Sequence, residues 1–172
     1  FIPKVRLNAV NMKMLNIMKV SNNSLNSPQL NILVALDCEA RPLIDYFKLK
    51  RQHMVSAFNL YSNANHTIFL IVSGVGKVNM ASATGFIFQY SGAKPWDTFI
   101  NVGIAGGDYE IGALYLIDKL TDYSCNKAYY PAVNHKLKLA AAELKTFDQP
   151  QNIYSSHYLM DMEASGFIQA VT

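Results

Sequence analysis

One pattern constrains the fold more than any other feature: short apolar runs, each followed by an acidic or glycine-rich stretch, between residues 31 and 107. Ile32-Leu33-Val34-Ala35-Leu36 is such a run, of the kind that fills a central strand. Asp37-Cys38-Glu39 follows it. Ala40, Leu43, Ile44 and Phe47 then fall at i, i+3, i+4 and i+7, which gives a helix one apolar face. Pro42 is expected in the first turn of that helix, where its missing N–H does no harm. Thr67 to Val72 repeats the run and leads into Ser73-Gly74-Val75-Gly76, then a helix with Val78, Ala81, Gly85 and Phe88 on one side. Thr98 to Val102 is a third run, ending in Gly103-Ile104-Ala105-Gly106-Gly107. Strands alternating with helices predict an α/β fold, a three-layer αβα domain around a mixed, largely parallel sheet.

Beyond residue 107 the signal weakens. Leu114 to Leu120 reads as a strand, Tyr129-Tyr130-Pro131 as a loop, and Tyr158 to Met160 as a short strand. Met54 to Tyr61 is a further strand candidate upstream. His135 to Phe147 reads either as a helix or as a short helix followed by a strand; periodicity leaves both open. A last helix carries Ala164, Phe167, Ile168 and Val171 at helical spacing. Residues 1–30 differ from the rest. They hold Lys4, Arg6, Lys13 and Lys19, no acidic residue, and a run crowded with Asn and Ser. They read as a disordered leader, native or appended, ahead of a domain at 31–172.

Composition removes several function classes. The net charge is +3 with no cluster of basic residues, so no nucleic-acid partner is expected. No apolar segment reaches the length of a membrane span. Cys38 and Cys125 are far apart, which fits a reducing, cytoplasmic setting better than a disulfide framework. The four histidines are scattered without metal-ligand spacing, so neither a metal nor a cofactor is expected.

In open α/β sheets, ligands sit beyond the carboxyl ends of the strands. If the strands are parallel neighbours, Asp37-Cys38-Glu39, Ser73 to Gly76, Gly103 to Gly107 and Asp161-Met162-Glu163 gather on one rim. Glu39, close to a helix start, suits a general base. Ser73 with Gly74, and Ala105 with Gly106, are candidate binding positions, because small residues let a ligand approach the backbone. Glu163 is a candidate for paired ribose hydroxyls, since one carboxylate accepts two hydrogen bonds. Each of these also has a plain structural reading, as helix-start stabilisation or a tight turn. Arg41 could hold phosphate, but an ion pair with Asp45 at i+4 explains it as well. Cys38 has no histidine near it in sequence to activate it. Lys77 is followed by Val78, so the glycine loop is not a Walker loop, and it lacks the third glycine of a dinucleotide fingerprint.

Four stretches in order resemble the purine nucleoside phosphorylase and nucleosidase family, most closely its methylthioadenosine and adenosylhomocysteine nucleosidase branch. They are Ala35 to Glu39, Val72 to Ala81, Asn101 to Gly107, and Asp161 to Ala164. The resemblance implies that Glu39 activates the attacking water, that Ser73 lines the ribose and water site, and that Met162 and Glu163 hold the sugar. It implies a small-molecule nucleoside substrate and a homo-oligomer. The family's acid is an aspartate in a Ser-Asp pair on a later strand, so residues 31–172 are expected to lack it and to be inactive alone, with solubility poor or dependent on a partner chain. Tyr154 and Tyr158 are the candidates for stacking on the base. Hydrolysis is preferred; phosphorolysis and a non-catalytic nucleoside-binding protein remain alternatives.

Overall fold

The first strand, β1 (Leu30–Val34), is buried along its whole length, as its unbroken apolar run requires. It lies between two parallel neighbours, β4 (Ile68–Val72) and β5 (Thr98–Asn101), with Leu30 opposite Ile68 on one side and Thr98 on the other. Antiparallel β3 (Asn59–Ser62) and β2 (Lys50–Arg51) complete a sheet of order β2-β3-β4-β1-β5. These features come from a computed structural model that describes residues 28–52, 57–132 and 138–172. The expected leader lies almost wholly outside the described residues, as does the start of the strand expected from Met54.

Alternate residues of β1 and β4 feed two separate apolar cores, which makes the three layers. Leu30, Ile32, Val34 and Leu70 pack with Ala40 and Leu43 of helix α1 (Asp37–Phe47). Leu33, Phe69 and Ile71 pack on the other face with Met80, Ala83 and Ile87 of α2 (Lys77–Ser91). Each fully buried aliphatic side chain contributes roughly 1.5–3 kcal/mol. Asn31 is the exception in β1. It is fully buried, and neither side-chain atom has a partner among the described residues, a cost of about 1–3 kcal/mol that the surrounding core offsets.

A second sheet, order β7-β6-β8-β9, is built from β6 (Tyr115–Asp122), β7 (Lys127–Tyr129), β8 (Ala140–Thr146) and β9 (Leu159–Asp161). β8 runs parallel to both neighbours. Leu120, Leu144 and Leu159 bury against Ala164 and Ile168 of α3 (Ala164–Val171). One isolated bridge joins the sheets: Gly106 and Met160 exchange both backbone hydrogen bonds, at 2.8 and 2.7 Å. The expected mixed, largely parallel αβα architecture is present, its sheet divided in two.

Three local expectations are corrected, and one left open is decided. Pro42 is the sixth residue of α1, not in its first turn, because the helix starts earlier, at Asp37. α2 buries Met80, Ala83, Thr84 and Ile87, whereas Val78 and Phe88 are 74% and 51% exposed. The helix is apolar on both sides, so periodicity picked the outward face. Tyr129 belongs to a strand rather than to a loop. Of the two readings left open for His135 to Phe147, the one that ends in a strand fits β8, which forms despite three alanines because β6 pairs along it; His135 to Leu137 lie outside the described residues.

Candidate active site

The parallel order β4-β1-β5 brings three strand ends side by side, and the segments after β1 and β5 form one wall of a cleft of about 570 Å³. Side chains of the second sheet, including Ile117, Leu144 and Leu159, form the opposite, apolar wall. Glu39 reaches the cleft from the first turn of α1. Its Oε2 accepts the N–H groups of Ala35 and Leu36, each at 2.9 Å, and its Oε1 accepts that of Ile104 at 2.9 Å. The bond to Leu36 caps the helix, so the starting point of α1 is set by Glu39 and not by Pro42. A carboxylate has about four acceptor positions, and three backbone donors leave one free. A Cβ on Gly103 would stand 3.5 Å from Oε1, in ordinary van der Waals contact.

Burial pushes the Glu39 carboxyl above its ordinary value. The three N–H donors pull it back in part, and the negative charge of Glu163 adds to the rise. The two carboxylates therefore sense each other across the cleft they both line. Glu163 is fixed just ahead of α3. Its Oε1 accepts the N–H of Gly76 at 2.9 Å, which ties the end of β9 to the glycine loop after β4.

Asp161 organises this corner, although the sequence alone assigns it no separate role. Its Oδ2 accepts the N–H of Ala164 at 2.6 Å and of Glu163 at 3.2 Å, capping α3. The Thr146 hydroxyl donates to its Oδ1 at 2.7 Å. Burial outweighs these bonds and raises its carboxyl to about 6 from an ordinary 3.8, with the Glu163 charge adding to the rise. The short polar side chain two residues before Glu163, at the start of an apolar helical stretch, was the available signal. Because the folded value is raised, the folded protein keeps a proton that the unfolded chain has already lost. That stabilisation is full below about pH 4 and is lost as pH rises through about 6. Asp161→Asn should abolish this slope, worth about 3 kcal/mol over the interval, in thermal melts between about pH 4 and pH 7.5. An unchanged slope would assign it to another group.

Of the expected binding positions, Glu39, Ala105, Gly106 and Glu163 line the cleft. Ser73 and Gly74 do not. The Ser73 hydroxyl is turned into the backbone, donating to the Gly74 carbonyl at 2.7 Å. Gly74 serves the loop itself, at φ +81°, in the left-handed region that glycine occupies without strain. Met162 borders a neighbouring hollow of about 200 Å³ with Val75, Lys77 and Asp148. Arg41 is exposed and outside the cleft, as is Cys38. Tyr154 lines the cleft with its ring against Gly106, where a Cβ would approach the ring to 2.6 Å. Tyr158 instead lies under the Lys145 ammonium, 3.9 Å from its ring centre. Among the described residues, no group of His, Cys, Asp and Glu is arranged to hold a metal ion, and no helix is long and apolar enough to cross a membrane.

No family model matches the sequence, and no curated protein matches it. Solved structures do. A 5′-methylthioadenosine nucleosidase from Arabidopsis thaliana superposes with a TM-score of 0.71 at 19% identity, over 83% of this chain and 75% of that one. The chain has the nucleosidase fold. A 5′-methylthioadenosine/S-adenosylhomocysteine nucleosidase from Colwellia psychrerythraea, solved with adenine, gives 0.65 at 16% identity, over 83% and 76%. A futalosine hydrolase mutant from Helicobacter pylori gives 0.62 at 16% identity, over 84% and 83%. In the nucleosidase fold of this chain, the cleft lies on the seam between the two sheets.

Proposed function

We propose that this cleft binds a purine-type nucleoside and that the protein acts in hydrolysis of its N-glycosidic bond. The observation that carries the reading is the pairing of Glu39 and Glu163. One is a buried carboxylate with a raised proton affinity and a free acceptor position. The other is a carboxylate fixed opposite it by a backbone N–H.

In this reading Glu39 takes a proton from water, and the water oxygen bonds to the anomeric carbon. The glycosidic bond breaks, and its electron pair leaves with the purine nitrogen, which needs a proton from an acid on the opposite face. Such a reaction passes through an oxocarbenium-like sugar, as glycoside hydrolysis does. Glu163 orients the ribose hydroxyls and places negative charge near the developing cation. Tyr154, lying against Gly106, offers a ring face on which a planar base can stack. Neither Arg41 nor any other described Lys, Arg or His lines the cleft, so nothing there is built to hold phosphate. That favours water over phosphate as the nucleophile. The acid that the family resemblance implies, an aspartate in a Ser-Asp pair, has no counterpart in residues 1–172, which contain no Ser-Asp dipeptide.

Two measurements test the reading. Calorimetric titration of the chain with 5′-methylthioadenosine should give saturable binding that a Glu163→Ala variant loses. Chromatography should detect free adenine when a protein carrying the Ser-Asp segment turns over. Absence of nucleoside binding at millimolar concentration would end the proposal.

A further inference from the structure

One basic residue sits where helix electrostatics disfavours it. Lys77 is the first residue of α2, whose first turn holds no acidic residue. A cation there meets the positive end of the helix dipole, whereas the opposite end would welcome it. The side chain does not line the cleft; it reaches across to the second sheet. Its Nζ donates to both carboxylate oxygens of Asp122, the last residue of β6, at 3.2 and 3.3 Å, and to the Ser124 hydroxyl at 2.7 Å. It also pairs with Asp148, just past β8, at 2.8 Å. The Asp122 side chain is 3% exposed, so its pair with Lys77 is a fixed contact and not a solvated one. The backbone of Lys77 is seated too, with its carbonyl against Gly166 of α3. Immediately before it stands Gly76, whose N–H holds Glu163 Oε1 at 2.9 Å. The other Glu163 oxygen has the longer bond, from the Met162 N–H at 3.2 Å. Gly76 has no side chain with which to fix its own N–H, so the residue beside it must do so.

We propose that Lys77 is a positioning residue for the site. By clamping the start of α2 to Asp122 and Asp148 it holds the Gly76 N–H in place, and through it the Glu163 carboxylate that takes the ribose hydroxyls. The inference rests on the nucleoside reading and names a residue outside the cleft on which that reading depends. The linkage is short: one peptide unit separates the clamped residue from the donor, and that unit is planar. A hydrogen bond weakens steeply as its donor turns out of line. A displacement of about 1 Å in a supporting residue is enough to spoil a binding geometry. This role also accounts for a lysine at the unfavourable end of a helix, since the two aspartates it must reach lie on that side.

The test titrates the 172-residue chain calorimetrically with adenosine, 2′,3′-dideoxyadenosine and adenine. The first two differ only in the hydroxyls assigned to Glu163. The wild type should bind adenosine about tenfold more tightly than its dideoxy analogue, or better, as hydrogen bonds to a charged group imply. In Lys77→Met that ratio should fall below about threefold, while the affinities for dideoxyadenosine and adenine each change by less than about threefold. Lys77→Arg keeps a cation between the two aspartates and should restore most of the ratio. If Lys77→Met fails to fold because Asp122 is left buried without its cation, the double variant Lys77→Met, Asp122→Asn removes the stranded charge and puts the same question. A variant that melts lower yet keeps the wild-type ratio, or that weakens all three probes alike, would make Lys77 a stabilising contact only. That result overturns the inference and leaves the nucleoside reading intact. A wild type that binds adenosine and its dideoxy analogue equally would remove Glu163 from the ribose and take the inference with it. If none of the three probes binds, the nucleoside reading falls as well.

Discussion

Replacing Gly166 by alanine is expected to destabilise the protein by about 3 kcal/mol or more, a loss of roughly 10 °C in Tm. The reason is a backbone contact. A Cβ at this position would overlap the Lys77 carbonyl oxygen, and its next neighbours are the Lys77 carbonyl and α carbons. No side chain can swing away to make room, so α3 would have to separate from the start of α2. That separation would also pull Glu163 from the Gly76 N–H. Gly85→Ala is the control. It lies in the middle of α2, with open space within 4 Å of where a methyl group would stand and no positive φ. It should be neutral, or stabilising by about 0.5–1 kcal/mol through helix propensity. Thermal melts of the two variants therefore ought to move in opposite directions. A Gly166→Ala protein that melts like the wild type would mean the helix packing is looser than the contact implies.

In a protein carrying the Ser-Asp segment, replacing Glu39 by glutamine should lower the rate of base release by about 10²–10⁴-fold, the usual contribution of a positioned general base. Nucleoside affinity should change far less, so the loss falls on kcat rather than on KM. Burial raises the Glu39 proton affinity, and only the ionised form accepts a proton from water. The wild-type rate should therefore fall as pH drops through that raised value, and the residual rate of the glutamine variant should lack this limb. Glutamine also presents an amide nitrogen where a carboxylate oxygen stood. At least one backbone N–H is then left without its acceptor, at about 1–3 kcal/mol. A lower Tm is therefore expected as well. Glu39→Asp separates the two effects, since it keeps the charge but shortens the reach. If kcat survives the loss of the carboxylate, Glu39 is a helix cap and nothing more.

The parts of the molecule written locally were readable from sequence. β1 and α1 follow from an unbroken apolar run and one apolar face, and the gathering of three loops on one rim follows from parallel strand order. The parts decided by neighbours were not. Ala140 to Ala142 are strong helix formers held in a strand because β6 lies along one edge. α2 has apolar residues on both sides, so its buried face is chosen by where α3 and the sheet lie. Asp161 acts through backbone N–H groups two and three residues ahead, a local capping signal that stands beside the more conspicuous Glu163. Gly166 left a fainter trace. A glycine inside a short helix is unfavourable by about 1 kcal/mol, and such a residue usually marks a close approach. The contact of Tyr154 with Gly106 joins residues far apart in the chain, and no spacing rule reaches it.

The single bridge between Gly106 and Met160 has a consequence for how the molecule melts. Each sheet has its own ladder; two backbone hydrogen bonds stitch them at the cleft, and the packing of α3 on α2, the Glu163–Gly76 bond and the Lys77–Asp122 ion pair tie them beside it. Glu39 belongs to one half, and Glu163 follows the last strand of the other. A ligand held by both is a further tie across the stitch, and its binding energy adds directly to the coupling between the halves. Occupancy of the cleft is therefore expected to sharpen the unfolding transition, because the bound ligand resists separation along the line where it lies.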